Sequence, residues 1–184
     1  MDTVTTLSTE HAAILQVLEQ AEQAASAAAQ GIPVPAGIFQ DVQEFLMVFV
    51  DRCHHGKEEG ELFPRLQPDY AALVEQLEDE HTTGRQLALT YAQAVQSYQP
   101  GNATTGAALA AAARAYADFL RQHIDEENEH LLPVVEQALE AEDQHLVAAF
   151  ERIEVERIGA GTHERLHGMI EGLPERVAPF LPPR

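Results

Sequence analysis

Four clusters of turn-forming residues divide the chain: GIPVPAG at 31–37, QPD at 67–69, QPGNATTG at 99–106 and GAG at 159–161. Between them, apolar positions recur at three- and four-residue steps, the period of a helix with one buried face. The first segment runs from about Thr6 to Gln30, with Ser8 and Thr9 as candidate caps and a stripe of Leu7, His11, Ile14, Leu15 and Leu18. A second, from about Ala36 to Leu66, carries Leu46, Met47, Val50, His54 and Glu58 along one face. The third starts near Asp69, just after Pro68, with Leu73, Val74, Leu77, His81, Gly84 and Ala88 on its stripe. The fourth follows the Gly-Asn turn and aligns Tyr116, Phe119, Leu120, His123, Glu127 and Leu131.

Helices of about 25 residues are roughly 40 Å long, and short loops between them favour antiparallel neighbours. The expected fold class is therefore all-α, an up-down-up-down four-helix bundle over residues 1–140. Beyond it, AEDQHLVAAFERIEVERI reads as another helix and THERLHGMIEGL as a short further one. Residues 141–184 are thus expected as a C-terminal helical extension packed on the bundle, ending in a tail, PERVAPFLPPR, too rich in proline to be helical. A length of 184 residues suits one domain. With 45% hydrophobic residues, 6% aromatic and no Trp, the core must come from Leu, Val, Ile and Ala.

Charge narrows the partners. Thirty acidic residues against eleven basic ones give a net charge of −19, which repels phosphate backbones and anionic lipid, so neither nucleic acid nor membrane is an expected partner. An acidic surface concentrates cations, although solubility is the ordinary reason for such charge. One cysteine, Cys53, allows no intrachain disulfide, the N-terminal segment lacks the basic and apolar stretches of a secretory signal, and no run of about 18 apolar residues is present. A cytoplasmic monomer or homodimer is expected.

The chemistry lies in a repeat. HHGKEEGELFP (54–64) and HIDEENEHLLP (123–133) both start with His, place Glu four residues later and reach Pro at the tenth step. Aligning the prolines pairs His54 and Glu58 with His123 and Glu127, and so prefers His54 over His55. Residues four apart share a helix face, so each imidazole and its carboxylate reach the same small volume. His11 and His81 add one imidazole each from the other two apolar stripes.

Taken singly, an HxxxE pair in a chain with nine His and many Glu is more often a solvated face, and a lone His on an apolar stripe a hydrogen-bonded core residue. The conjunction is what chance explains poorly. Burying ionised Glu58 and Glu127 costs several kcal/mol each without a cation, and no Lys or Arg shares their stripes. A bound metal resolves the conflict, with His11, His54, Glu58, His81, His123 and Glu127 as candidate ligands. Four imidazoles and two carboxylates are too many for one tetrahedral zinc but suit two metals sharing carboxylates. Two irons fit best, ahead of manganese or zinc, with positions left for water, O2 or peroxide.

These residues resemble the hemerythrin-like HHE cation-binding domains, whose pattern of His, HxxxE, His, HxxxE on successive helices is matched by His11, His54 with Glu58, His81, and His123 with Glu127. The LFP and LLP endings are similar too, and the resemblance spans roughly residues 8–140. It implies a four-helix bundle around a non-haem, oxo- or hydroxo-bridged di-iron site that binds or reduces a small oxidant such as O2, peroxide or nitric oxide. A non-catalytic iron storage or sensing module is the alternative. One position departs: oxygen-carrying hemerythrins have a second His one turn after that of the third helix, where this chain has Arg85 beside Gly84. That tells against reversible oxygen carriage and leaves a fifth imidazole absent or supplied from elsewhere.

The remaining histidines offer three sources for it: His55, His163 and His167. His55 with Glu59 repeats the HxxxE spacing and reads either as a pair that orients ligands or, the reading adopted here, as a solvated pair. Glu127 and His130 form an ExxH pair of the ferritin-like kind, but His11 stands where such sites need a Glu. HERLH (163–167) is literally the HExxH of zinc metallopeptidases, yet it lies close to the end of the sequence with little chain left for a cleft or a third ligand, and reads as an accessory helix. His145 reads as a surface residue, and Cys53 as packed or mildly redox-sensitive, pointing away from the ligand direction.

Overall fold

A computed structural model describes residues 1–182; they are helical throughout, apart from short connections, and contain no strand. Helix α1 spans Asp2–Ala29. Helix α2 (Ala36–Phe45) runs on without interruption through a wide π-helical stretch Leu46–His54, the turn His55–Lys57 and a second π stretch Glu58–Leu62. It then passes into α3 (Phe63–Ser97), whose backbone leaves helical geometry at Tyr70 (φ −127°, ψ 34°). The expected break at QPD is therefore a sharp kink two residues after Pro68, and the part of α3 beyond Tyr70 is the third long rod. Helix α4 (Ala103–Glu126), its π stretch Glu127–Leu131 and α5 (Leu132–Ala138) make the fourth. Helix α6 (Asp143–Ile153), a last π stretch Glu154–Ile158 and α7 (Thr162–Val177) follow.

Neighbouring rods touch with numbering that rises on one as it falls on the other. Tyr98 donates to the Val34 carbonyl, Tyr91 to the Phe39 carbonyl, and Arg85 pairs with Asp51. Between α1 and α4, Arg121 pairs with Glu22 near one end and His11 meets Asn128 near the other. The two backbones come close where Gly106 faces the Ala28 carbonyl; a Cβ there would run into that oxygen.

Two expectations about helix ends need correction. Helix α1 starts at Asp2, not Thr6, because Asp143 of α6 caps it from across the fold: its carboxylate accepts from Asp2 N and Thr3 N, each at 3.0 Å, and from Thr3 Oγ1 at 2.6 Å. Ser8 and Thr9 lie inside the helix, donating back to the Val4 and Thr5 carbonyls. The proline-rich tail is also helical further than expected. Helix α7 continues through Pro174, since Leu166, Ile170, Leu173 and Val177 bury one stripe against the core and this offsets the lost hydrogen bond. A short 3-10 turn, Ala178–Phe180, follows, and residues 183–184 lie outside the described residues.

Apolar side chains form two clusters. The larger contains Ile14, Phe39, Phe45, Phe49, Tyr91, Leu120 and Ile124, and takes in the stripe of α7. The smaller contains Leu7, Leu62, Phe63, Leu77, Leu131 and Phe150. Between Leu7 and Ile14 on α1, and between Ile124 and Leu131 on the fourth rod, a polar layer separates the two; it holds His11 and Glu127. Among the described residues no helix is long and apolar enough to cross a membrane.

Candidate metal centre

All six expected ligands lie in that layer, and all are buried; Glu58 and Glu127 are both 0% exposed. Helix geometry explains the convergence. Glu58 and Glu127 each open a π stretch that closes two residues before a proline, Pro64 or Pro133. Proline donates no N–H and crowds the carbonyl four residues back, so the helix widens just upstream of it, and a wide turn re-aims the side chains it carries.

The oxygens of the two glutamates face different imidazoles. Glu127 Oε2 lies 3.1 Å from His11 Nε2, and its Oε1 lies 3.0 Å from His123 Nε2 and 3.7 Å from His81 Nε2. Glu58 Oε1 lies 3.7 Å from His54 Nε2, and its Oε2 lies 3.3 Å from His81 Nε2. Each carboxylate thus spans two groups of histidines. In one group, His11, His54, Glu58 and Glu127 bring donor atoms within 4.8 Å of one another; in the other, His55, His81 and His123 do the same.

Every Nε2 in the four expected histidines is aimed inward because Nδ1 is tied outside. His54 Nδ1 meets Glu10 Oε2 at 2.8 Å, and His11 Nδ1 meets Asn128 Oδ1 at 2.9 Å. His81 Nδ1 meets Glu59 Oε1 at 2.8 Å, and His123 Nδ1 meets Glu80 Oε2 at 2.7 Å. Those outer oxygens only accept, so each Nδ1 carries a proton and Nε2 is the nitrogen turned to the centre. The four bonds also link the rods in a closed ring: first to second, second to third, third to fourth, and fourth back to first. Each outer partner is the chain neighbour of a candidate ligand: Glu10 precedes His11, Glu59 follows Glu58, Glu80 precedes His81 and Asn128 follows Glu127.

His55 is the clearest correction. It is 3% exposed, not solvated, and its ring stacks on His81 with centroids 3.9 Å apart. Neither ring nitrogen has a hydrogen-bond partner, and Asp51 Oδ1, at 3.9 Å, is too far to provide one. The π stretch Leu46–His54 explains how two adjacent histidines both face inward, since a wider turn rotates successive side chains by less than the α-helical angle. Glu59, by contrast, orients a candidate ligand, His81.

The other sequence candidates lie elsewhere. His163 Nε2 is 3.9 Å from Glu10 and 3.8 Å from Glu154, and its ring stacks on Phe49. That group of two carboxylates and an imidazole has the spacing of a metal site, but it already holds a cation: the Lys57 ammonium lies between Glu10 and Glu154, 2.7 Å from the latter. His167 packs edge-on to Phe49, and Glu164, the general base a peptidase would require, is exposed. His130 points outward and pairs with Glu126, so the ferritin-like ExxH pair does not form. Cys53 is buried, and desolvation pushes its thiol up to about 12, well away from redox reactivity.

Electrostatics shows what the centre requires. Burial pulls the His81 imidazolium down, but the nearby carboxylates of Glu127, Glu58 and Glu59 outweigh it and push the group up to about 11; His123 rises to about 9 through Glu127 and Glu80 in the same way. Burial likewise raises Glu127, yet the imidazoles around it hold the carboxylate well below its ordinary range. His55 moves the opposite way, down to about 3, through burial and then the neighbouring His81, and so stays neutral with a lone pair free. Even so, both oxygens of Glu58 and of Glu127, and Nε2 of His81 and His123, make no hydrogen bond. Carboxylate oxygens and imidazole nitrogens that converge in a dry layer without hydrogen bonds are what a cation would satisfy, in place of the protons that the carboxylates otherwise hold on His81 and His123, and the donor set fits a metal that accepts both nitrogen and oxygen.

Fold and site together define the class: an all-helical protein whose core carries a buried His and Glu cluster able to hold metal. The chain belongs to the hemerythrin family, the model of the hemerythrin HHE cation binding domain matching residues 2–135. No curated protein and no solved structure gives a match.

Proposed function

We propose that the protein is a non-haem di-iron protein that binds or reduces a small oxidant, O2, peroxide or nitric oxide, inside an up-down-up-down four-helix bundle. The observation that carries this reading is the set of four unpartnered oxygens of Glu58 and Glu127, each glutamate facing both groups of histidines. One iron would take His11 and His54, the other His55, His81 and His123, with Glu58 and Glu127 offering an oxygen to each. His55 supplies the imidazole that Arg85 displaces from the third helix. Residues 1–140 form the bundle, supported by the run of pairs from Tyr98–Val34 to Arg85–Asp51, and 141–184 an extension along it. A cytoplasmic monomer or homodimer remains part of the proposal.

A pair of irons, when bound, supplies reversible one-electron changes and open positions for a small ligand. The chain does the rest. Glu10, Asn128, Glu59 and Glu80 keep the Nδ1 protons in place and fix each ring, while the apolar clusters on either side exclude water. The test is peroxide addition to the reduced, iron-loaded protein, followed by visible absorption. The reading expects a new absorption band in the wild type and none in Glu127→Gln; an unchanged wild-type spectrum overturns it.

A further inference from the structure

One of the four outer acceptors around the centre is unlike the rest. His54, His81 and His123 turn Nδ1 to carboxylates, Glu10, Glu59 and Glu80, at 2.8, 2.8 and 2.7 Å. His11 turns it to an amide oxygen, Asn128 Oδ1, at 2.9 Å. The sequence repeat carries the same exception: Asn128 follows Glu127 as Glu59 follows Glu58, so one copy has an amide where the other has a carboxylate.

The groups behind these acceptors isolate that difference. Glu10 bonds Lys57, which bonds Glu154 at 2.7 Å; Glu59 bonds Arg85 at 2.7 Å, which also bonds Asp51 at 2.7 Å. Each of these two arms is a carboxylate, a cation and a second carboxylate, one serving His54 and the other His81, so they balance between the two groups of histidines. Glu58 and Glu127 each face both groups and favour neither. The remaining arms differ by a full charge. Glu80, behind His123, is backed by the neutral amide of Gln76 at 2.9 Å and brings a negative charge; Asn128, behind His11, brings none.

A carboxylate makes a stronger bond to an imidazole N–H than an amide does, raises the basicity of the ring as a ligand, and adds its own charge to the attraction of a cation. The group of His55, His81 and His123 has this support on both of its bonded rings, and the group of His11 and His54 on one. We propose that the two metal positions are unequal, and that Asn128 is the positioning residue that makes the one at His11 and His54 the weaker, filled second and emptied first. The inference rests on the di-iron reading, and it means that a chain short of iron holds its metal at His81 and His123.

Anaerobic titration of the full chain with ferrous iron against a competing chelator tests this. The wild type should bind two irons in steps at least about tenfold apart. Asn128→Asp, an isosteric change at an exposed position, should strengthen the weaker step about tenfold or more and leave the tighter step within about twofold, a gain that a merely structural role for Asn128 would not produce. Glu80→Gln, the reverse change at the other group, should weaken the tighter step by about the same factor and leave the weaker one. Glu129→Gln removes an exposed charge from the residue next to Asn128 and should move neither step by more than about twofold. Equal steps in the wild type, an unimproved weaker step in Asn128→Asp, or a shift in Glu129→Gln as large as that in Asn128→Asp overturns the inference, and with two irons still bound leaves the di-iron reading standing. Iron bound by none of these proteins contradicts the di-iron reading, and this inference with it.

Discussion

At the scale of single residues, the protein distinguishes buried charges that have a partner from those that wait for one. Lys57 is fully buried, yet it is satisfied by Glu10 and Glu154, and its ammonium stands where a metal could have bound. Lys57→Met should therefore destabilise the protein by about 3–5 kcal/mol in urea unfolding, because Glu10 keeps its charge without its cation. Adding Glu10→Gln should recover a large part of that loss; full wild-type stability in the single variant would contradict the assignment. A second prediction concerns the outer oxygens. Glu80→Ala removes the acceptor of the His123 Nδ1 proton, so iron affinity, measured by competition with a chelator, should fall about 10–100-fold while the helical content is unchanged. The buried layer of six candidate ligands was legible because a repeat and four apolar stripes converged on those residues. His55 was not, since a regular helix turns it about 100° from His54 and only the π stretch brings it inward. Glu10, Glu59, Glu80 and Asn128 left a fainter signal, each being adjacent in sequence to a candidate ligand while bonding a histidine on another rod.

At the scale of elements, the helices were legible from periodicity and their junctions were not, because the junctions depend on contacts distant in sequence. The start of α1 is set by Asp143, 141 residues away from Asp2. Thr3 and the backbone N–H of Asp2 hold the Asp143 carboxyl below its ordinary value. A depressed carboxyl stabilises the fold above its unfolded value of 3.8 and loses that contribution as pH falls through the lower, folded value. Asp143→Ala should thus cost about 1 kcal/mol at neutral pH, with the difference in Tm narrowing as the buffer is taken below that range. A cost that persists undiminished in acid would contradict capping by the charged carboxylate. Gly106 tests packing between elements. Alanine there gains about 0.5–1 kcal/mol of helix propensity but forces α1 and α4 apart at the Ala28 carbonyl, an overpacking cost of about 1–3 kcal/mol, so Gly106→Ala should lower the Tm. The π stretches that open at Glu58 and Glu127 had a sequence signature after all, in Pro64 and Pro133 at the same step of the two repeats. Those prolines, used in the sequence only to align the repeats, mark where each helix widens around its glutamate.

For the whole molecule, the architecture is two apolar clusters with a polar layer between them, and the layer holds the groups that could bind metal. An apolar core alone would have been more stable than one interrupted by seven buried His and Glu side chains of the two groups, so the layer makes sense only with something that pairs its charges. The net charge of −19 bears on what surrounds the molecule and leaves that internal requirement unchanged. The central claim is that the requirement is met by two metal ions of one kind. Iron per folded chain after anaerobic reconstitution and desalting, counted by elemental analysis, tests it most directly: the account expects about two, falling below one in Glu58→Gln and Glu127→Gln, whereas fewer than about one iron in the wild type, or a single zinc, would contradict it.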